Sequence, residues 1–455
     1  MTSMIPQLLR EEIVRRSGGV IVDETMRGGG GASRQGAEVT LRQPGGNEVH
    51  CYLAWDSRAA DPARMPFFER ETGILAALSG PLATSGVRVA RLVAFAPSHL
   101  ALMSEFVSGD DRFARAADPA ALAQDFMSQL AALHRVDAAH PALVALGDAA
   151  SPPSAAIRAR VAQLKADNFA TVPDPILQLS LGWLADNVPQ DTGPAAVLHG
   201  DAGPGNFIHD GHKVTALVDW ELAHLGDPME DLAQIWVRSL IQPFVPMREV
   251  FAAYEAAGGV TVDLARVKYH RLYFQLGFSV AGHAAQYSPD AAPSPMIGAS
   301  LMYNAMHKRI IVASLGELTG QTLVDPELPD CQPNWTDRTF ATALDDLRHE
   351  IVPGLSSQRA AAKAKSFARM VKFWRMRDRY GRAFDDAEIA EIAELLGETP
   401  SALLPARAAF ARAIAEGRVD RTAALQLCHN RVVRETLLMA GAMGALATTA
   451  YEKLD

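Results

Sequence analysis

Residues 197–237, VLHGDAGPGNFIHDGHKVTALVDWELAHLGDPMEDLAQIWV, decide how the rest of the chain is read. An apolar strand at Val197-Leu198 runs into His199-Gly200-Asp201, a Gly/Pro turn follows, and Asn206 stands just beyond it. Val214–Val218 then reads as a buried strand that ends on Asp219. A carboxylate, an amide and a second carboxylate are thereby gathered on two neighbouring loops. The set suits movement of a phosphoryl group, which asks a protein for little covalent chemistry. It needs a base for a hydroxyl proton, oxygen ligands for Mg²⁺ and a rigid frame. Asp201 fits the base, and Asn206 with Asp219 fits the metal. The competing reading is two turn-capping aspartates beside a satisfied histidine. It leaves the order of the whole constellation unexplained.

Composition agrees with a soluble enzyme. The 455 residues suffice for two or three domains with proper cores, and 49% of them are hydrophobic. A formal charge of −9 argues against a nucleic-acid partner, which calls for a basic face. Cys51, Cys331 and Cys428 are odd in number and far apart, so they make neither a disulfide framework nor a zinc knuckle. A reducing cytoplasm is the expected setting. The opening MTSMIPQLLREEIVRR lacks a continuous apolar leader core, and no stretch of about 20 apolar residues suggests a membrane span.

The run His199-Gly200-Asp201, Asn206, Asp219-Trp220-Glu221, Gly226-Asp227-Pro228 and Glu230-Asp231-Leu232-Ala233 resembles the aminoglycoside phosphotransferase-like kinases. It is most similar to the branch of bacterial "phosphotransferase family" proteins and of kinase-like domains fused to acyl-CoA dehydrogenases. The resemblance spans about Gly18 to Leu315. It implies an α+β, two-lobed protein-kinase-like fold, with a small β-rich N-lobe over residues 1–107 and a mostly helical C-lobe over 108–320. It also implies Asp201 as catalytic-loop base, Asn206 and Asp219 as Mg²⁺ ligands, and ATP or GTP as the donor. His199 would brace the loop, while Asp227 and Asp231 would tie the following helix to it.

Ile5–Arg16 reads as an amphipathic helix stopped at Gly18, with a strand from Val20 after it. The glycine run Gly28–Gly31 and Ser33 precede a returning strand, Ala37–Leu41, and a third strand covers Val49–Trp55. Such a turn lets backbone N–H groups approach phosphates, so Gly29, Gly30 and Ser33 are candidate nucleotide contacts. Alone, a glycine run is more often a hairpin tip. The resemblance also expects a cation near the end of the third strand, paired with an acid on the next helix. Here that strand ends Leu53-Ala54-Trp55, with no cation. Glu71 is the candidate acid. Arg58 is the candidate replacement, with Arg34 and Arg42 further off. Strand alternation leaves Ala54 and Trp55 as rivals for the vacant position. Val87–Phe95 and Leu100–Met103 read as the last strands of the lobe. Glu105 to Gly109 then resembles a hinge, where Glu105 and Val107 would meet the adenine edge.

Asp118-Pro119 is a strong helix start, and Leu122, Phe126, Leu130 and Leu133 recur at helical spacing behind it. His134 ends that stripe and reads as structural. Ala155–Phe169 and Pro175–Asn187 are further helices. His209, His212 and His224 lack metal-ligand spacing and read as turn and packing residues, ahead of zinc. Met247–Ala257, Val262–Ala285 and Ile297–Leu315 are expected helices. Their Tyr269, Tyr273, Phe274, Phe278 and Tyr303 suggest a hydroxylated acceptor with apolar surface, though each alone is more readily core. They carry no dense acidic cluster for a polycationic antibiotic.

Residues 321–336 read as a linker, and 337–455 as an all-α C-terminal domain similar to an uncharacterised helical domain often encoded beside these phosphotransferases. Asp385 and Glu388 look like a capping-box start, and Gly397 a stop. Lys363 to Arg379 interleaves cations with Phe367, Met370, Val371 and Trp374. That face reads as solvated; the minority reading is a positive rim that docks on the acidic kinase portion or holds a phosphate-bearing substrate such as a CoA ester. Two functions are therefore carried forward. One is an ATP/Mg²⁺-dependent phosphotransferase acting on a hydroxyl of a small or acyl-CoA-type metabolite. The other is a pseudokinase-like binding or scaffold protein, favoured by Ala54-Trp55. Oligomeric state is not legible.

Overall fold

The computed structural model describes residues 5–27, 34–56, 61–191, 193–288, 296–398 and 400–454. The chain divides into two compact units: one of residues 1–153, 191–267 and 452–455, the other of 154–190 and 268–451.

The first unit opens with α1, Gln7–Ser17, which ends where Gly18 takes a left-handed turn at φ 68°. Strands β1 (Val20–Arg27), β2 (Arg34–Arg42), β3 (Glu48–Asp56), β4 (Leu92–Ala96) and β5 (Ala101–Glu105) form an antiparallel sheet in the order β1-β2-β3-β5-β4. Helix α2, Met65–Leu78, lies between β3 and β4 in the chain. Register decides which side chains share a face. Arg34 pairs with Asp56 and Gly36 with Ala54, so Arg34, Gly36, Ala54 and Asp56 share one side. The other side carries Val39, Leu41, Cys51, Leu53 and Trp55, which are buried in one core with Leu9 and Ile13 of α1. Trp55 is thus a packing residue, and Ala54 occupies the face expected to carry the cation.

The remainder of this unit is mostly helical. Asp118 caps α3 (Pro119–His134) by accepting from Ala121 N–H at 3.0 Å, as its sequence promised. Two short antiparallel pairs frame the central stretch: β6 (Ala196–Leu198) pairs with β9 (His224–Gly226), and β7 (Phe207–His209) forms a hairpin with β8 (Val214–Leu217). Helices α6 (Pro228–Ser239) and α7 (Met247–Ala256) follow.

The second unit contains α4 (Pro153–Phe169, from Ser154), α5 (Pro175–Asp186), most of α8 (Leu264–Tyr287) and α9 (Ile297–Thr319). To these it adds α10 (Trp335–Asp346), α11 (Gln358–Leu396), α12 (Leu403–Ala415) and α13 (Arg421–Met443). Leu177 and Leu181 of α5, Leu272 and Leu276 of α8, Ile311 of α9, Phe410 of α12 and Cys428 of α13 belong to a single buried cluster. Tyr269 joins it, donating to the Leu184 carbonyl at 3.0 Å, so this ring serves the core. The helix start expected at Asp385 does not exist. The 39-residue α11 runs through it, and Asp385 and Glu388 accept hydrogen bonds from Arg377 and Arg407 instead. The stop at Gly397 is realised, at φ 67°.

Candidate active site

The loop after β6 is set by backbone geometry. Gly200 has φ +80°, and a Cβ there would stand 2.0 Å from the Leu222 carbonyl oxygen, so no larger residue fits. Asp231, fully buried on the first turns of α6, accepts from His199 N–H at 2.8 Å and Gly200 N–H at 2.9 Å. His134 Nε2 meets the same carboxylate at 3.0 Å. Burial alone would raise the Asp231 acid, but His134 and the two amides hold it below the usual carboxylate value. His134 is thereby structural, as its place in the apolar stripe suggested.

His199 is 1% exposed and ties the two loops together. Its Nε2–H donates to the Val218 carbonyl at 2.9 Å, and its Nδ1 accepts from Asp201 N–H at 3.4 Å. The ring lies 4.5 Å from that of Trp220. Burial lowers its pKa, which keeps a neutral tautomer suited to that donor–acceptor pattern.

Asp201 is held on three sides. Asn206 Nδ2 donates to Oδ2 at 2.7 Å, Gln234 Nε2 to Oδ1 at 2.8 Å, and Arg238 Nη1 to both oxygens at 2.8 Å. Arg238 Nη2 also donates to Pro204 O at 2.7 Å and to Asn206 Oδ1 at 3.2 Å. The sequence reading missed Gln234 and Arg238. Their i, i+4 spacing puts both on one side of α6, but that this side adjoins the Asp201 loop is visible only in the structure.

Asp219 adopts the left-handed conformation, φ 68°, uncommon for a residue with a side chain. Burial and then the neighbouring carboxylates Glu221, Glu71 and Asp201 push its pKa up to about 6. That surplus of negative charge around Asp219 favours a cation beside it, whereas the Asn206 side-chain oxygen accepts from Arg238. Among the described residues no group of three His, Cys, Asp or Glu is placed to hold a metal by itself. Mg²⁺ commonly takes only one or two protein oxygens and completes its shell with phosphate and water.

Glu71, buried on α2, meets Arg34 in a two-pronged ion pair, Nη1 to Oε1 at 2.8 Å and Nη2 to Oε2 at 2.5 Å. Arg34 Nη2 also lies 3.5 Å from Glu221. Arg64, which the sequence reading overlooked, reaches Asp56 at 3.0 Å and Glu221 at 3.3 Å. Burial would lower the Arg34 pKa, but Glu71, Glu221 and Asp219 raise it, so the guanidinium stays charged. Glu71, the acid that the resemblance pairs with a cation of β3, thus meets a cation of β2 instead. Arg58, Gly29, Gly30 and Ser33 lie outside the described residues. In the segment that the resemblance reads as a hinge, Phe106 N–H donates to His50 O at 2.9 Å, and the two rings stack at 4.3 Å. Glu105 is tied to Arg91 by its side chain and backbone, and Val107 follows, partly exposed. His209 accepts from Gly211 N–H and donates to Arg112 O, and His224 sits between Leu222 O and Glu230.

Residues 29–270, just over half of the chain, match the profile of the phosphotransferase enzyme family, APH. The chain belongs to that family. Acyl-CoA dehydrogenase family member 11 of Gallus gallus is 39% identical over 69 residues, 15% of this chain and 9% of that protein. The chain thus spans less than a tenth of the curated relative it matches. Among solved structures, a macrolide 2′-phosphotransferase from Brachybacterium faecium is 21% identical, covers 62% of this chain and 93% of its own, and superposes with a TM-score of 0.46. An aminoglycoside phosphotransferase, APH(4)-Ia, solved with ADP and hygromycin B, is 16% identical over 60% of this chain and 90% of its own, with a TM-score of 0.45. Among the described residues, no helix is long and apolar enough to cross a membrane.

Proposed function

We propose that this protein transfers the γ-phosphoryl group of a nucleoside triphosphate, ATP or GTP, to a hydroxyl of a small molecule. Membership of the phosphotransferase family supports the reaction class. The observation that carries the reading is the Arg34–Glu71 pair, a partly buried cation oriented by a buried acid on the same face as Ala54. The chief ground for a binding-only protein is a phosphate anchor missing from β3, and the Arg34–Glu71 pair is the reason for preferring transfer.

In this reading the acceptor hydroxyl donates a hydrogen bond to Asp201. As its oxygen forms a bond to phosphorus and the bond to the leaving diphosphate breaks, the hydroxyl proton passes to Asp201 and then to solvent. Arg238 and Gln234 fix the carboxylate in place, which suits a late proton acceptor that mainly orients the nucleophile. Arg34, aligned by Glu71, holds phosphate oxygens. Mg²⁺, held by Asn206 and Asp219, would neutralise charge on the transferring group. The acceptor is a small hydroxylated molecule, and the cytoplasm the proposed setting.

The test needs no acceptor, because water can take its place in slow Mg²⁺-dependent ATP hydrolysis. Asp201→Asn should lower that rate by about 10²–10⁴-fold while leaving nucleotide affinity within a few-fold. Hydrolysis at the wild-type rate by the folded variant would refute the role. A flat titration of the wild type with ATP and Mg²⁺ would return the reading to a binding protein.

A further inference from the structure

Asn206 is held at every polar atom. Its backbone N–H donates to Gly203 O and its carbonyl accepts from Val218 N–H, both at 3.1 Å. Its amide nitrogen donates to the Asp201 carbonyl and to Asp201 Oδ2, each at 2.7 Å. With both amide hydrogens engaged, the side chain cannot turn, and the direction of Oδ1 is fixed. That oxygen accepts from Arg238 Nη2 at 3.2 Å.

Arg238 is held less evenly. Its Nη1 meets both Asp201 oxygens at 2.8 Å, and Pro204 O accepts from Nε at 3.1 Å and from Nη2 at 2.7 Å. The contact to Asn206 is the longest of these, and Nη2 keeps Pro204 O if it is lost. The Arg238 side chain is 19% exposed, against 5% for Asn206, so it has room to shift where the asparagine has none. A divalent cation on Asn206 Oδ1 would stand beside the guanidinium, two like charges sharing one acceptor. Of the two partners, only Arg238 can yield.

We propose that Arg238 and Mg²⁺ compete for the Asn206 side-chain oxygen, so that Arg238 sets the metal demand of the site. Without metal, Nη2 occupies the ligand oxygen. As the metal enters, the guanidinium releases Asn206 and stays on Asp201 through Nη1. The inference rests on the metal role given to Asn206 above, and it makes Arg238 a positioning residue that links metal occupancy to the base.

Calorimetry on the full chain with AMP-PNP, a nucleotide that is not hydrolysed, tests it. The affinity is measured with and without saturating Mg²⁺, and the ratio of the two reports the metal effect alone. Arg238→Lys keeps the charge, but one nitrogen on a flexible stem cannot serve Asp201, Pro204 and Asn206 together. It should raise the ratio by about 3–10-fold, since one hydrogen bond no longer has to be broken. Asn206→Ala should lower the ratio, and on that background Arg238→Lys should change it by less than about twofold. The double variant separates competition at Asn206 from any looser effect of the lysine on the loop. The wild type gives a second readout: its crystal structure with AMP-PNP and Mg²⁺ should show Arg238 on Asp201 and no longer bonded to Asn206 Oδ1. An unchanged or smaller ratio in Arg238→Lys, an equal rise on the Asn206→Ala background, or an intact Arg238–Asn206 bond beside bound Mg²⁺ would each overturn the competition and leave phosphoryl transfer standing. Failure of AMP-PNP to bind either the wild type or Arg238→Lys, with or without Mg²⁺, would overturn both.

Discussion

Ala54 offers no charge on its face of β3, and Arg34 of the neighbouring strand shares that face. A guanidinium offered to phosphate through charge-assisted hydrogen bonds contributes about 1.5–3 kcal/mol. Arg34→Ala should therefore weaken ATP binding by roughly 10–150-fold and leave adenosine unchanged. Ala54→Lys on the Arg34→Ala background should recover part of that loss, because residue 54 shares the face. Equal losses for ATP and adenosine would mean that Arg34 only supports the lobe. The contrast between Arg34 and Asp201 also explains what the sequence could disclose. Asp201, Asn206 and Asp219 lie within one continuous stretch, so their grouping is written along the chain. Arg34 meets Glu71 across 37 residues, and Arg238 meets Asp201 across 37. Both meetings depend on strand register or helix rotation, which spacing alone does not state. Arg34 stood among the candidates, whereas Arg64, Gln234 and Arg238 did not.

Helix α6 carries Asp231, Gln234 and Arg238 to the loop, so its first turn matters to all three. Asp227 caps it by accepting from Met229 N–H at 3.0 Å, while Glu230 accepts from Asp227 N–H at 3.0 Å. The same carboxylate pairs with Arg266 Nε at 3.0 Å. Asp227→Ala should cost about 2–4 kcal/mol in denaturant unfolding, combining a lost cap with a broken buried pair. Asp227→Asn, which keeps an N-cap oxygen, should cost about half as much. Equal costs would assign the whole effect to Arg266. Caps of this kind made much of the fold legible in advance: Asp118-Pro119 starts α3, and Gly18 and Gly397 stop α1 and α11. Asp385 and Glu388 misled because a capping pair and two acids inside a helix read alike. Only the arginines that meet them, Arg377 and Arg407, distinguish the cases, and Arg407 belongs to another helix.

Each compact unit is assembled from separated lengths of chain. Helices α5, α8 and α9 share one buried cluster with α11, α12 and α13. Ending the chain at residue 336 would strip the later helices from that cluster. Such a fragment should be insoluble, or lose the cooperative unfolding of the second unit in calorimetry. A soluble fragment with native-like helicity in all its remaining elements would contradict this. The same unit has a defined acid response. Burial alone would raise the Glu435 pKa, but Arg431 and Arg407 hold it at about 2, below its ordinary 4.5. Its stabilisation is therefore complete above about pH 4.5 and lost as the pH falls towards 2. Glu435→Gln should lower stability at pH 7 by about 3 kcal/mol, and the gap from wild type should narrow below pH 4.5. A gap as wide at pH 3 as at pH 7 would be inconsistent with that ion pairing. There is also a consequence for synthesis. Leu177 and Cys428 share a core but are separated by about 250 residues, which a ribosome takes roughly 12–50 s to polymerise. Throughout that interval the apolar side of α5 has left the exit tunnel ahead of its last partners, so the nascent chain should be a client of holding chaperones until its final helices emerge.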